Sequence, residues 1–156
     1  MGIKNTARRQ YQAIIDAAAA SRLQHVKQPR EGWIASTRKA LGMTTTQIGR
    51  ITGHTRANVS AAEKSEQNER ATLQTMKTMA EAMGCRFVYA IVPAEGGIEN
   101  LIEQQARKKA LAIVKSASAH MALEKQSLAE KQVEQEVARL TRDLMANQPS
   151  DFWADE

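Results

Sequence analysis

Residues 44–64 read TTTQIGRITGHTRANVSAAEK, and the fold turns on this stretch. Thr44 followed three residues later by Gln47 is a capping-box pattern, in which hydroxyl and amide each satisfy a backbone group at a helix start. A helix therefore begins near Thr45, turns Ile48 inward and places Gly49 where a second helix can come close. Gly53 ends it, because a residue without Cβ enters the left-handed region at little steric cost. Thr55 then caps a second helix, with Asn58 three positions on and Val59 as the inward residue. The pattern is a helix-turn-helix.

In that arrangement the N-terminal residues of the second helix face base edges while the first helix crosses the phosphate backbone. Arg56 can fork onto guanine O6 and N7, Ala57 or Ala61 can touch a thymine methyl, and Ser60 can donate or accept. Thr45, Gln47, Asn58 and Lys64 suit phosphates, which fix register without carrying sequence information. Thr44, at the helix start, completes the DNA-binding set. The same residues also fit an αα-hairpin inside a helical domain, with Arg56 and Lys64 on a solvated face.

Charge distribution favours the first alternative. The chain of 156 residues carries 22 Lys and Arg against 17 Asp and Glu, a net of +5. Residues 1–93 hold 14 basic and 6 acidic side chains, whereas residues 94–156 hold 8 and 11. A positive surface concentrated around the turn raises phosphate affinity by counterion release and makes it salt-sensitive.

From Gly32 to Pro93 the chain resembles the Cro and lambda-repressor type of DNA-binding domain. More narrowly, Gly32-Trp33-Ile34, the run from Lys39 to Met43, the run from Glu63 to Glu66, Thr72-Leu73 and the run from Val88 to Pro93 resemble the bacterial family called mobile mystery protein A. Met121 to Glu124 and the terminal Phe152-Trp153 extend the likeness over most of the chain. The resemblance implies a transcriptional repressor encoded beside a Fic-domain protein, a fold that commonly transfers AMP to protein hydroxyls. It further implies a toxin–antitoxin pair in which this chain is antitoxin and autoregulator. It also places Arg38 and Glu63 where the repressor class has an architectural ion pair. Thr52 and His54 stand where that class commonly has apolar side chains, and Ala62 where Leu is common, so a slimmer core is expected. Residues 65–70 do not complete the inhibitory Ser/Thr-x-x-x-Glu-Gly/Asn motif of some Fic antitoxins, so neutralisation by that glutamate is not expected.

The expected fold is mainly α: a lambda-repressor-like helix-turn-helix domain with one short β-strand at about 86–92 and a long C-terminal helical extension. Three segments are expected, an N-terminal helix in 1–28, the DNA-binding domain with its terminal strand in 29–93, and a helical extension in 98–156. Tyr11, Ile14, Ile15 and Ala18 give the N-terminal helix one apolar face. The run from Arg86 to Val92 is β-branched and aromatic and stops at Pro93. No other stretch has comparable β character, so Phe87, Val88, Tyr89, Ala90 and Ile91 are expected to pair with the same strand of a second copy, which makes the chain a homodimer on a two-fold operator. A buried extended segment, or pairing with a different protein, are the alternatives.

Beyond Gly96-Gly97, Ile102, Ala106, Ala110, Ile113, Ala117 and Met121 recur at helical spacing, as do Val133, Val137, Leu140 and Leu144. They suggest a long helix or helical pair that packs on its twin or receives a partner. Phe152 and Trp153 are candidate anchors for the Fic-type partner, or fold back onto a neighbouring helix.

Enzyme chemistry finds no support. His25, His54 and His120 lack metal-ligand spacing, and Cys85 has no partner for a CxxC site, so neither metal nor cofactor is expected. A buried, small apolar role is expected for Cys85. Cysteine poverty, the lack of a signal peptide and of any bilayer-spanning apolar run favour the cytoplasm and no membrane partner. The partners expected are therefore a double-stranded DNA operator, a second copy and a Fic-domain toxin. Two other readings remain open: a stand-alone mobile-element or phage-type repressor, and an interaction module that neutralises a toxin without DNA.

Overall fold

A computed structural model describes residues 3–123 and 130–154, with the side chains at 22, 24 and 121–123 excepted. Glu124, which closes one of the resembling segments, and the Met121 side chain of the predicted stripe lie outside the described set. The chain is mainly α-helical, with seven α-helices, one 3-10 turn at Arg22–His25 and no strand among the described residues. In order the helices are α1 (Ile3–Ala20), α2 (Trp33–Ala40), α3 (Thr45–Thr52), α4 (Arg56–Gln67), α5 (Leu73–Ala82), α6 (Ile98–Leu123) and α7 (Glu130–Ala146). None of the described helices is long and apolar enough to cross a membrane.

The helices divide between two compact units, residues 22–90 and residues 1–21 with 91–156. The N-terminal helix, expected as a segment of its own, thus belongs with the C-terminal helices.

In residues 22–90 the core joins Ile34 of α2, Ile48 of α3, Val59 and Ala62 of α4, and Met76, Met79 and Met83 of α5 and its end. Ala62, expected to give a slimmer core, is itself buried in this cluster. Three unbranched methionines share its cluster, and their flexible thioethers suit an irregular space. Thr52 is half-buried and donates its hydroxyl to the Ile48 carbonyl at 3.0 Å, so burial leaves no orphaned polar group.

The segment from Cys85 to Pro93 forms neither helix nor ladder within the chain. Phe87 is not free for a strand face, because its half-buried ring packs against the methionine core and stacks on Tyr89 at 5.5 Å. Val88, Tyr89 and Ile91 remain 50%, 59% and 89% exposed. Cys85 corrects its expected burial: it is exposed, and its thiol donates to the Met83 carbonyl at 3.5 Å.

In the other unit α6 and α7 pack on each other, which buries part of the C-terminal stripes within one chain. The buried line on α6 runs Ile102, Ala106, Ala110, Val114, against Val137 and the half-buried Val133, Leu140 and Leu144. The fourth expected member, Ile113, is instead 49% exposed, and Ala117 also faces out. Of the two fates expected for Phe152, folding back onto a helix is the one found, and the side chain is not exposed as a partner anchor. It is 1% exposed against Ile102 and Ala106, and its carbonyl accepts from Gln105 Nε2 at 2.7 Å. Trp153 stays 59% exposed, edge-on to the Phe152 ring. The α6 start is held by Asp16 of α1, whose carboxylate accepts the Ile98 N–H at 3.0 Å and sits favourably at the positive end of the helix.

Candidate nucleic-acid interface

The caps expected at the turn are formed. Thr44 Oγ1 accepts the Gln47 N–H at 3.1 Å while Gln47 Oε1 accepts the Thr44 N–H at 2.7 Å, so α3 starts on a reciprocal box. Gly53 ends α3 at φ 72°, in the left-handed region. Thr55 Oγ1 accepts the Asn58 N–H at 3.1 Å and opens α4. Gly49 is the point of close approach: a Cβ there would lie 2.6 Å from the His54 carbonyl oxygen, so no larger residue fits without moving the turn.

Packing then settles which way α4 faces. Val59, Ala62 and Glu66 point inward and are buried. Ala57, Ser60, Ala61 and Lys64, at relative positions 0, 3, 4 and 7, share the opposite face and are exposed, as is Arg56 at the first helical position. Thr44, Gln47 and Asn58 are exposed and Thr45 is half-buried at the neighbouring helix starts. The nine expected contact residues are thus brought to the two cap regions and one side of α4.

The far end of α4 is braced by two carboxylates. Glu63 accepts from Arg38 Nε at 2.5 Å and from Nη2 at 3.3 Å, while Arg38 Nη1 donates to the Met43 carbonyl at 3.1 Å. The hydrogen bonds to Glu63 raise the Arg38 pKa above its already high value. Glu66, 6% exposed, accepts the Trp33 and Ile34 N–H groups at 2.5 and 2.9 Å. It supplies the cap that Gly32, lacking a side chain, cannot give α2. A Cβ on Gly32 would stand 2.9 Å from the Glu66 carboxylate, and its φ of 83° also favours glycine. Sequence reasoning missed Glu66. The one available signal was a helix opening after glycine with no capping side chain of its own.

Electrostatically the unit is unbalanced. Residues 22–90 contain 11 basic and 5 acidic side chains, and Glu31, Glu63 and Glu66 of the latter are engaged by Lys39, Arg38 and the α2 backbone. Arg50, Arg56, Lys64 and Arg70 are exposed and make no salt bridge among the described residues. A cleft of about 470 Å³ between α4 and the start of α5 is edged by Asn58 and Ala61 on one side and by Arg70, Thr72 and Thr75 on the other. Arg70 was not foreseen as a site residue. It sits two positions ahead of the Thr72 cap, whose hydroxyl accepts the Thr75 N–H at 3.1 Å.

Comparison with known proteins adds no assignment: no family model, no curated protein and no solved structure matches the chain.

Proposed function

We propose that the chain is a dimeric, sequence-specific DNA-binding repressor, with α3, the Gly53 turn and α4 acting as a helix-turn-helix of the lambda-repressor kind. The observation that carries this reading is the exposed outer face of α4, small at Ala57 and Ala61, polar at Ser60 and Lys64, and opened by Arg56. Small side chains let a helix approach base edges, while Arg56 carries the donor fork suited to guanine. Arg50, Lys64 and Arg70, unpaired by acidic neighbours, supply phosphate contacts, and the α4–α5 cleft lies beside the reading face.

Dimerisation completes the proposal. Residues 86–91 form no ladder within the chain, and their exposed Val88, Tyr89 and Ile91 suit β-pairing with a second copy. Two-fold pairing would present two α4 helices to a two-fold operator. The antitoxin role, with a Fic-type toxin as partner, rests on the resemblance of the quoted segments, and the exposed Trp153 is the residue proposed to anchor that partner.

A salt-titrated mobility shift tests the DNA reading. The chain's own upstream duplex should be bound at least roughly 10³-fold more tightly than random duplex at physiological salt. Equal affinity for both duplexes would reduce the protein to a non-specific polycation.

A further inference from the structure

A second concave surface lies in the other unit and has no part in DNA reading. It is a groove of about 510 Å³ between α1, the start of α6 and the chain end. Its floor is aliphatic, formed by Ile15, Ile98, Leu101 and Ile102, and the rings of Tyr11 and Trp153 flank it. Both rings are largely exposed, at 67% and 59%. Such apolar area left open to water favours an occupant that covers it, and the volume falls within the range of small-molecule sites.

Charge narrows the choice of occupant. Lys4 and Arg8, one turn apart on α1, are exposed at the edge, while among the described residues the lining includes no carboxylate. The one acidic residue of α1, Asp16, is committed to the Ile98 N–H at 3.0 Å and cannot neutralise them. Gln12 and Gln148 add amide donors to the same lining. An uncharged lipid would leave both cations without a partner. A carboxylate with an apolar tail satisfies floor and rim together.

We propose that this groove binds a small apolar carboxylate, its tail on the aliphatic floor between Tyr11 and Trp153 and its head group at Lys4 and Arg8. The site is independent of the DNA-binding reading. A carboxylate seated there and a protein anchored on Trp153 exclude each other, so the ligand would compete with any partner using that ring.

The chain has two tryptophans, so Trp33→Phe leaves Trp153 as the sole reporter. In that full-length background, sodium decanoate below its micellar concentration should change Trp153 emission saturably. Lys4→Gln with Arg8→Gln should weaken the response roughly three- to ten-fold, as for two solvent-exposed ion pairs. Lys131→Gln, on exposed α7 surface, should leave it unchanged. Decanol should bind the parent and the double variant alike. Absence of saturation by about 1 mM decanoate, or equal decanoate binding by parent and double variant, would overturn the proposal. Circular dichroism on each variant confirms that any loss is local, since both substituted cations are exposed helix residues.

Discussion

Gly49 and Glu66 divide the work of the turn between fit and bracing, and Arg56 is the residue proposed to read bases. At Gly49 a Cβ would meet backbone rather than a movable side chain, so Gly49→Ala should destabilise the unit by about 1–3 kcal/mol in urea unfolding. An unchanged midpoint would mean that the α3–α4 approach relaxes freely. Glu66 was hidden from sequence reading because its role depends on a helix 32 residues away, not on any local pattern. Glu66→Ala should leave the buried Ile34 N–H and the part-buried Trp33 N–H at the α2 start without their acceptor, at a cost of about 1–3 kcal/mol. Glu66→Gln, able to accept only one of them, should fall between. By contrast Arg38 with Glu63 was legible through the family likeness, and the pair forms with a forked guanidinium contact.

Among the elements, those with local punctuation were read correctly and those fixed by tertiary choice were not. Thr44 with Gln47, Gly53, and Thr55 with Asn58 each act within a few residues, so their hydrogen bonds follow from sequence alone. On α6 the apolar line could continue at Ile113 or at Val114, and only packing against Val137 selected the latter. Phe152 and Trp153 illustrate the same limit: adjacent aromatics in one acidic tail have opposite fates, set by what α6 offers beneath them. Phe152→Ala should therefore cost about 3–5 kcal/mol, and Trp153→Ala within about 0.5 kcal/mol, measured by denaturant unfolding. Equal effects would show that the chain end does not close over Ile102 and Ala106.

For the molecule as a whole, helical class was plain from periodicity, but the grouping of α1 with residues 91–156 was not. Nothing near Asp16 in sequence announces that it caps a helix 82 residues away. The β character of residues 86–92 was equally plain, yet a ladder needs a second strand, which a single chain does not offer among the described residues. If a twin provides it, Val88→Pro removes a ladder donor and should yield a monomer in sedimentation, with operator affinity lowered roughly 10²-fold or more through lost bivalency. A dimer that survives this change would place the two-fold contact elsewhere.

If the outer face of α4 reads base edges, Arg56→Ala is the change that reveals it most directly. Binding of the parent and the variant to the chain's own upstream duplex and to random duplex should be measured over one salt series. The expected result is a loss of about 1–3 kcal/mol on the upstream duplex, relaxed preference at one base pair and little change on random DNA. A loss of equal size on both duplexes would make Arg56 a phosphate contact and contradict the assignment of α4 as the reading helix.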